Sequence, residues 1–495
     1  MSKSLLCPCE DVTVEDVQAA VAKGYRDIES IKRYTGFGTG ICQGKQCLHA
    51  VARELLRLAP VEPAAVLPFT PRPPLVPTEL SLFASVPVDE SQPPAVGVPL
   101  ALGLTQHALR PEAPVGPRAK IVIIGGGVMG LALAHNLAKR GETDVVVLEK
   151  GYLCAGASGR NGGGVRMQWG TRSNIELAKR SIELMKQFAG EMGINVWLRQ
   201  GGYLFLAKNA EIAKRLERGA ALHNQYDVPT RILSPGEARD IVPELSLQGV
   251  QLCAYNKDDG VIFPWPFVWG YAQSCQKRGV RVETFTQVTG FEVHAGLIRK
   301  VKTDRGDIAC DQVVLASGAW SPEVARLASI TLPNAPYRHE ILSTEPLKPF
   351  LGPLVSVLDS GLYFSQSMRG EIVGGMGDPR EPAGLNMGST LRFVARFARA
   401  LTEQLPRLGQ VKVLRQWAGC YDVTPDNNPI LGRTPGLDNL LQMSGFVGHG
   451  FMMAPAVAER MAEWMVRSTS DELFSRFNLD RFWTGKLEHE DMIIG

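Results

Sequence analysis

The chain has 495 residues, of which 45% are hydrophobic and 21% charged, an ordinary composition for globular domains with large cores. The formal net charge of +3 gives no sign of binding to nucleic acid or to an anionic membrane. No apolar run approaches the roughly 18 residues that cross a bilayer, and the start of the chain lacks a signal-peptide core. We therefore expect a soluble cytoplasmic protein with no nucleic-acid partner; peripheral attachment at the inner face of the membrane is the alternative.

The first 58 residues are predicted to form a small helical domain. Thr13 and Asp16 have the spacing of a capping box, and the apolar face that follows ends at Gly24. A second helix fits residues 28–34, and a third begins near Lys45. A unit of this size buries little apolar surface, so we expect it to need a metal or a partner to fold.

Four of the nine cysteines fall within this domain, at Cys7, Cys9, Cys42 and Cys47. Two short pairs of thiolates suit a tetrahedral site for zinc or an iron–sulfur centre. The spacings C-x-C and C-x4-C are atypical of zinc fingers, and neighbouring glycines would let backbone N–H groups approach the sulfides of a cluster. An iron–sulfur cluster is therefore favoured, and a zinc site or unliganded thiols are the alternatives.

The Cys-x-Cys start, the glycine-rich lead and the Cys-Gln-Gly-x-x-Cys end resemble the [2Fe–2S] domain of bacterioferritin-associated ferredoxins. They are similar in particular to the form found in multi-subunit amine and amino-acid dehydrogenases. The resemblance covers residues 5–58 and implies that Cys7, Cys9, Cys42 and Cys47 bind a [2Fe–2S] cluster.

A proline-rich connector is predicted at residues 59–117, where 14 of the 33 prolines of the chain lie. Proline fixes φ and removes a backbone donor, so neither helix nor central strand can continue through such a stretch. We expect it to be extended and pinned along the surface of a large domain at 118–495.

The large domain begins with a strand–turn–helix–strand unit. An apolar strand at residues 120–124 is followed by the fingerprint G-x-G-x-x-G at 125–130 and by a helix that ends at Lys139. A second strand at 144–148 ends in Glu149. This order predicts a dinucleotide site with the pyrophosphate at the helix N-terminus.

The residues of this fingerprint have separate roles. Gly125 permits the tight turn, Gly127 the approach of the pyrophosphate, and Gly130 the close packing of helix on strand. Glu149 would accept hydrogen bonds from a ribose, which argues against the 2′-phosphate of NADP. The glycine-rich loop at 155–164 favours FAD over NAD, because its N–H groups and its arginine suit a second phosphate or a flavin ring.

Five ordered segments resemble the D-amino-acid oxidase superfamily, and within it the branch of the sarcosine oxidase and proline dehydrogenase β subunits. They are the glycine fingerprint with Glu149 and the segments 158–161, 316–320, 417–426 and 445–455. The resemblance implies an α/β fold: a Rossmann-type FAD-binding domain with an inserted mixed-sheet substrate domain, as in glutathione-reductase-like and D-amino-acid oxidase folds.

The same resemblance implies the division of the large domain and its cofactor contacts. FAD-binding parts are expected at about 118–195, 256–330 and 415–465, and substrate-domain parts at about 196–255 and 331–414. The residues expected to contact FAD are Gly125, Gly127, Val128, Met129, Gly130, Glu149, Lys150, Ala157, Ser158, Arg160, Asn161, Gly162, Gly163, Val288, Ala316, Gly318, Trp320, Gly419, Asp426, Gly448, His449, Gly450, Phe451 and Met452.

Three departures from the family pattern limit what it implies. The histidine that binds FMN covalently in sarcosine oxidase β subunits is absent from the corresponding stretch Phe263–Gly270, so a non-covalent FMN at a subunit interface stays open. Met452 stands where monomeric sarcosine oxidases have a carboxylate-binding lysine. No cysteine stands in the register used for covalent FAD, so we expect dissociable FAD.

The substrate site is expected where two sheet-like stretches, 337–345 and 361–374, would cover the flavin. Arg338, His339 and Tyr363 are the catalytic candidates there, with Arg338 as a bidentate clamp for a carboxylate. The alternative for Arg338 is an ion pair with Glu340.

Three further residues are considered beside these. His449 lies in the Gly-His-Gly-Phe segment and is assigned to the catalytic environment of the flavin, not to acid–base chemistry. Arg415 and Tyr421 are weaker candidates, because such residues at strand spacing are often ordinary packing.

The resemblance implies oxidation of a C–N bond in an amino acid or secondary amine by hydride transfer to FAD, with electrons leaving through the cluster. A dehydrogenase is favoured over an oxidase. Its substrates would be proline, hydroxyproline, sarcosine, an opine or glycine, the last as in hydrogen cyanide synthase. The expected partners are an α-type subunit, a small ferredoxin-like subunit, and a quinone or protein electron acceptor. The alternative is an electron-relay or assembly subunit without a substrate of its own.

Overall fold

The structure is a computed structural model and describes residues 4–95, 111, 113–467 and 470–493. The strands are β1 (Leu5–Cys7), β2 (Val12–Thr13), β3 (Thr78–Glu79), β4 (Ile121–Ile124), β5 (Val145–Leu148), β6 (Gly164–Val165), β7 (Tyr203–Ala207), β8 (Arg231–Leu233), β9 (Leu252–Asn256), β10 (Gly260–Val261), β11 (Arg281–Glu283), β12 (Val288–His294), β13 (Leu297–Thr303), β14 (Gly306–Ala309), β15 (Gln312–Leu315), β16 (Ala335–Pro346), β17 (Leu354–Val357), β18 (Leu362–Gln366), β19 (Glu371–Gly375), β20 (Lys412–Val423), β21 (Ile430–Thr434) and β22 (Leu437–Ser444).

The helices of these same ranges are α1 (Val14–Ala22), α2 (Ile28–Thr35), α3 (Leu48–Leu58), α4 (Leu80–Ala84), α5 (Val128–Lys139), α6 (Arg172–Met192), α7 (Ala210–Gln225), α8 (Pro235–Ile241), α9 (Pro264–Lys277), α10 (Ser321–Arg326), α11 (Leu391–Gln404), α12 (Gly450–Arg467), α13 (Glu472–Arg476) and α14 (Arg481–Thr484). None of these described helices is long and apolar enough to cross a membrane.

The N-terminal unit consists of α1, α2 and α3 beside the hairpin of β1 and β2. The hydroxyl of Thr13 accepts a hydrogen bond from the N–H of Asp16 at 3.1 Å, and the Asp16 carboxylate accepts one from the N–H of Thr13 at 2.9 Å. These two bonds confirm the capping box. The small apolar core of the unit includes Val17, Ile31 and Leu55.

This unit packs directly on the larger one, with α2 against α9. Tyr25 contacts Trp269 with the ring centroids 4.4 Å apart. Arg33 is buried and donates to the carbonyl oxygen of Cys154 at 2.9 Å and to the hydroxyl of Tyr152 at 3.2 Å. The N-terminal unit therefore touches the segment that follows β5.

The six-stranded sheet has the order β11-β5-β4-β15-β22-β21 and is parallel except at its edge strand β21. Both β4 and β5 are buried along their whole length, because each face of the sheet is covered. Helices α5 and α12 pack on one face, and the three-stranded sheet of β12, β13 and β14 packs on the other. This burial on both faces explains why the sequences of β4 and β5 are continuous apolar runs.

The nine-stranded sheet has the order β3-β20-β16-β19-β18-β17-β7-β9-β8. Only β17 and β7 run parallel in it. Helix α11 covers one face with its apolar side, and the opposite face looks toward the six-stranded sheet. Strand β20 pairs with β16 along its length, so residues 415–423 belong to this sheet and not, as expected, to the FAD-binding part.

Part of the predicted connector is ordered on the nine-stranded sheet. Strand β3 pairs with β20 at Lys412 and Val413, and Leu80, at the start of α4, is completely buried against α11. The described part of the connector therefore contains a short strand and a short helix besides extended chain. Its residues 96–110 and 112 lie outside the described residues.

Candidate active site

A cavity of about 600 Å³ lies where the carboxyl ends of β4, β5 and β15 face the nine-stranded sheet. Ligands of open α/β sheets bind at the carboxyl ends of the strands. This volume falls in the range of small-molecule and cofactor sites. One wall is formed by glycine-rich loops, and the other by His339, Tyr363 and Tyr421.

The turn between β4 and α5 and the first residues of the helix leave no room for side chains at two glycines. Gly125 has a φ of +120°, and a Cβ atom there would overlap the carbonyl oxygen of Ala316. A Cβ atom at Gly130 would overlap the carbonyl oxygen of Gly125. Gly127 precedes α5, whose first N–H donates to Ser158 Oγ at 3.0 Å. The helix N-terminus therefore lies at the cavity, as binding of a pyrophosphate requires.

Glu149 follows β5 and forms part of the cavity wall. Its carboxylate accepts hydrogen bonds from the N–H groups of Gly126 at 3.1 Å and Gly151 at 2.8 Å. Burial raises its pKa, and these two bonds oppose the rise. A carboxylate fixed in this position is suited to accept hydrogen bonds from the hydroxyls of a ribose.

Arg160 has a buried guanidinium on the same wall. Its Nε donates to the carbonyl oxygen of Ala155 at 2.6 Å and its Nη1 to that of Ala418 at 3.0 Å. Its Nη2 has no hydrogen-bond partner within the described ranges. A buried donor without an acceptor is costly, so this atom indicates an acceptor that a bound group would supply.

The cavity brings together all but two of the residues predicted to contact FAD. Those that line it are Gly125, Gly127, Val128, Met129, Glu149, Lys150, Ala157, Ser158, Arg160, Asn161, Gly162, Gly163, Val288, Ala316, Gly318, Trp320, Gly419, Gly448, His449, Gly450, Phe451 and Met452. The glycine turn, the fixed carboxylate and the unpartnered guanidinium nitrogen together fit an FAD molecule.

Asp426 does not line the cavity, contrary to the prediction. Its two carboxylate oxygens accept from Nε and Nη2 of Arg481 at 2.7 Å and 3.0 Å, and both side chains are buried. A buried carboxylate needs such a partner, and here the partner comes from α14. Gly130 is the other exception: it lies behind the wall and acts through the packing of α5 on β4.

The wall opposite the flavin loops contains a histidine between two tyrosines. The ring centroid of His339 lies 4.4 Å from that of Tyr421 and 5.6 Å from that of Tyr363, in nearly parallel planes. The Nε2 of His339 and the hydroxyl of Tyr363 are 3.0 Å apart and form a hydrogen bond. Burial lowers the pKa of His339 to about 4, so the ring is neutral at physiological pH.

Arg338 does not face the cavity, and the prediction that it clamps a substrate carboxylate there is wrong. Successive side chains of a strand point to opposite faces, so Arg338 lies on the other side of the sheet from His339. Its Nη2 contacts Glu381 at 2.8 Å, and its Nε lies 4.0 Å from Glu340. The expected alternative, an ion pair with Glu340, is present, but it is buried and secondary to the pair with Glu381.

His449 and Gly450 lie where α12 begins, and both line the cavity. The ring of His449 packs edge to face against that of Trp169, with the ring centroids 4.9 Å apart. Burial and the nearby Arg166 guanidinium hold the pKa of His449 well below its usual range, and its Nδ1 has no partner among the described residues. A neutral ring beside a helix N-terminus suits the flavin environment assigned to it.

Several wall residues escaped the sequence analysis. Tyr203, Leu354 and Met387 line the cavity from β7, β17 and the loop before α11. Asp422, also on the wall, accepts from the N–H of Gly445 at 2.6 Å, and burial raises its pKa to about 7. Nothing in the local pattern marked the first three, whereas Asp422 lies in a segment already singled out for its resemblance.

The four N-terminal cysteines lie in two pairs. The thiol of Cys47 hydrogen-bonds to Cys7 and lowers the pKa of Cys7 to about 6, and the backbone N–H of Gly38 assists. Cys9 lies beside Cys42, and burial together with the Cys42 thiol raises the pKa of Cys9, which the backbone N–H of Cys42 opposes. No group of three or more His, Cys, Asp or Glu side chains within the described ranges is arranged to hold a single metal ion.

A second cavity, of about 120 Å³, lies between the N-terminal unit and the loop at 155–164. Trp265 and Trp417 belong to its wall and donate from Nε1 to the carbonyl oxygens of Gly159 and Arg160, each at 2.9 Å. Burial lowers the pKa of its Lys32 to about 7. The charged residues around it are Lys32, Arg33, Arg72, Arg160, Arg369 and Arg415, with Glu29 and Glu371 opposing them.

Comparison with known proteins identifies the two units. A sequence profile described as FAD dependent oxidoreductase matches residues 120–464, and one described as Sarcosine oxidase A3 domain matches residues 1–86. The sarcosine oxidase subunit beta of Rhizobium meliloti (strain 1021) is 32% identical over 380 residues, covering 76% of this chain and 91% of that protein.

Solved structures of two enzymes are also similar to this chain. The crystal structure of L-proline dehydrogenase from P. horikoshii superposes with a TM-score of 0.72 at 35% identity, and covers 76% of this chain and 100% of that one. Glycine oxidase from Geobacillus kaustophilus shares the fold, with a TM-score of 0.68 at 24% identity over 74% of this chain and 99% of that one.

The fold and the cavity define a flavin-dependent oxidoreductase in which a mixed sheet covers the cofactor. The chain belongs to the family of FAD dependent oxidoreductases. This membership confirms the predicted fold class and FAD as the cofactor of the large unit. The match at residues 1–86 extends past the predicted 58-residue domain into the connector.

Proposed function

We propose that this protein is an amine dehydrogenase that oxidises the C–N bond of an amino acid or secondary amine such as proline, hydroxyproline, sarcosine, an opine or glycine. The observation that carries the proposal is the neutral wall of His339, Tyr363 and Tyr421 across from the flavin loops. Relatives named sarcosine oxidase subunit beta and L-proline dehydrogenase support the substrate class.

The chain's own residues would position the substrate and its charge. Bound FAD supplies the hydride acceptor. Since His339 is neutral and hydrogen-bonded to Tyr363, it fixes the geometry of the wall without placing a second cation beside the amine. The N-terminus of α12 directs backbone N–H groups toward the cavity, where they stabilise negative charge that develops during hydride transfer.

The carboxylate of an amino-acid substrate would be bound by hydroxyl groups. Lys150 and Arg160 are the only lysine and arginine among the described residues that line the cavity, and both belong to the flavin side. Tyr203, Tyr363 and Tyr421 line the substrate side of the cavity. Tyrosine hydroxyls on this side can donate to a carboxylate without an ion pair.

We further propose that the N-terminal unit holds a [2Fe–2S] cluster on Cys7, Cys9, Cys42 and Cys47. Such a cluster places two thiolates on each of two irons, which matches the pairing of Cys7 with Cys47 and of Cys9 with Cys42. The lowered pKa of Cys7 and the nearby Gly38 N–H suit a thiolate ligand. Bound there, the cluster would supply one-electron transfer away from the flavin.

FMN was expected only at a subunit interface, whereas the second cavity lies within one chain. The surrounding cations suit a phosphate. The volume of about 120 Å³ is well below the roughly 300 Å³ at which ligand pockets begin. As these side chains stand, the cavity does not fit FMN, and no step is assigned to that group.

The proposed partners are an α-type subunit, a small ferredoxin-like subunit, and a quinone or protein that accepts the electrons. The match of residues 1–86 to a Sarcosine oxidase A3 domain supports a multi-subunit assembly. A protein that carries its own one-electron centre has little use for direct reaction with dioxygen, so a dehydrogenase is favoured over an oxidase.

Anaerobic titration of the purified protein against these amines tests the proposal. Bleaching of the flavin absorption by one amine, followed by reduction of the iron–sulfur absorption, is the expected result. If no amine reduces the flavin while dithionite does, the protein is an electron-relay or assembly subunit, and the proposed substrate class is wrong. Flavin extraction in the same sample counts FAD and FMN.

A further inference from the structure

The loop at residues 376–390, between β19 and α11, forms part of the substrate side of the cavity. Met387 of this loop lines the cavity. The carbonyl oxygen of its neighbour Asn386 accepts a hydrogen bond from Cys420 Sγ at 3.3 Å, and Cys420 also lines the cavity. The position of Met387 therefore depends on how this irregular loop is held.

Arg338 holds the loop on both sides of Met387. Its side chain is only 1% exposed. Nη2 contacts the carboxylate of Glu381 at 2.8 Å, and Nη1 donates to the carbonyl oxygen of Gly388 at 3.2 Å. One buried guanidinium thus fixes a residue before Met387 and the residue directly after it, with a planar donor geometry suited to several acceptors at once.

The same arginine also contacts the connector. Its Nη2 donates to the carbonyl oxygen of Ala95 at 3.1 Å. Arg392, at the start of α11, donates to the carbonyl oxygen of Asp89 at 2.6 Å and contacts Asp378 of the loop at 2.7 Å. Two arginines of the large unit therefore each bind the connector and the substrate loop together.

A third arginine also contacts both the connector and the 376–390 loop. Arg396, one turn further along α11, lies 3.3 Å from Glu90 of the connector and 3.2 Å from Asp378 of the loop. Arg392 contacts Glu90 as well, at 3.1 Å. The carboxylates of Glu90 and Asp378 therefore share the same two guanidinium groups, which link the connector to the loop.

We propose that connector residues 89–95 act as a strap that holds the 376–390 loop over the substrate, with Arg338 as the positioning residue that joins them. The fusion of the N-terminal unit to the oxidoreductase then has a role in substrate binding besides electron transfer. The strap acts through Met387, and its described hydrogen bonds and ion pairs with the large unit are those with Arg338, Arg392 and Arg396. Its effect on substrate affinity rests on the proposed function, whereas the order of the loop does not.

Limited trypsin digestion of the FAD-loaded protein measures the order of the loop directly. Arg380 is exposed within the loop, so cleavage after it, identified by fragment mass, reports release of the segment. We expect R338M and R392M to speed this cleavage at least tenfold while FAD content stays unchanged. R392M is the milder variant, because the Arg392 side chain is 13% exposed whereas that of Arg338 is 1% exposed.

Arg399 supplies the matched control. It donates to the carbonyl oxygens of Ala84 and Val86 in the connector and has no described contact with the 376–390 loop. R399M should therefore digest like the wild type. Equal cleavage rates in R392M and the wild type would overturn the proposal, and so would a rise in R399M as large as that in R392M.

Substrate kinetics give the second readout once an amine is known. R392M and R338M should raise the KM for the amine between about tenfold and a hundredfold, with the limiting rate of flavin reduction within about twofold of the wild type. A fall in the limiting rate with KM unchanged would contradict the proposal. If no amine reduces the flavin, the proposed substrate class fails, and the digestion experiment still tests the strap.

Discussion

Arg338 and His339 are neighbours on β16, and their side chains lie on opposite faces of the nine-stranded sheet. His339 faces the flavin cavity and is stacked between Tyr363 and Tyr421. Arg338 faces away and is paired with Glu381. Arg338 therefore contacts the 376–390 loop, and the next residue, His339, lines the cavity.

The first prediction concerns His339. H339N should lower the limiting rate of flavin reduction by the amine at least tenfold, because the ring fixes the two tyrosines against which the substrate lies. FAD content should be unchanged, since His339 belongs to the wall opposite the flavin loops. Anaerobic stopped-flow absorption of the flavin measures the rate, and acid extraction measures the FAD content.

Y363F is the matched variant for this experiment. It keeps the ring stack and removes the hydroxyl that bonds to His339 Nε2 at 3.0 Å. We expect it to raise the KM of a carboxylate-bearing amine more than it lowers the limiting rate. If H339N and Y363F both reduce the flavin like the wild type, this wall does not position the substrate.

The opposite orientations of Arg338 and His339 could not be predicted from the sequence. Tyr-Arg-His-Glu is a polar run without the alternation of apolar and polar residues that fixes which face of a strand is buried. The family resemblance indicated where the strand lies but not which of its side chains point to the cavity. The glycine fingerprint with Glu149 was predictable, because its roles depend on backbone geometry within one continuous segment.

The second prediction concerns the pH dependence of stability. Asp422 accepts hydrogen bonds from the Gly445 N–H and from Asn334, and burial raises its pKa to about 7. An unfolded aspartate titrates near 3.9. Between these values the folded protein binds a proton that the unfolded chain releases, so this group stabilises the fold in acid, and the stabilisation is lost as pH rises through about 7.

D422N tests this directly, because asparagine stays neutral and can still accept from Gly445. The melting temperature of the wild type relative to D422N should fall between about pH 5 and about pH 8. Groups common to both proteins, including the buried histidines, cancel in this difference. A difference that is the same at both pH values would show that Asp422 is ionised throughout.

The third prediction concerns the metal content of the N-terminal unit. C42S should remove iron and acid-labile sulfide together from the purified protein while FAD remains bound, because the flavin cavity shares no residue with the cysteine pairs. C253S is the control, since Cys253 is buried in the nine-stranded sheet, far along the chain from these pairs. Elemental analysis that finds zinc in the wild type in place of iron would reject the cluster.

The grouping of the four cysteines was predictable from spacing, but their pairing as Cys7 with Cys47 and Cys9 with Cys42 was not, and neither was the second cavity. Cys7, Cys9, Cys42 and Cys47 form a pattern within one small unit. The second cavity takes residues from the N-terminal unit, the flavin loop, α9 and three strands of the nine-stranded sheet, β18, β19 and β20. Contacts between segments so distant in the chain depend on how the two units dock, and no local pattern encodes that.

The last prediction uses two glycines that differ in their surroundings. A Cβ atom at Gly130 would overlap the Gly125 carbonyl oxygen and come within 3.1 Å of the Ile123 side chain, so G130A must push α5 away from β4. The pyrophosphate then loses its place at the helix N-terminus, and we expect G130A to be purified with little FAD. G190A is the control: Gly190 lies within α6, has no atom within 4 Å of an added Cβ, and should tolerate alanine with FAD content unchanged and equal or higher thermal stability. Full FAD content in G130A would mean that α5 can shift without loss of the FAD site. FAD binding would then not require close packing at Gly130.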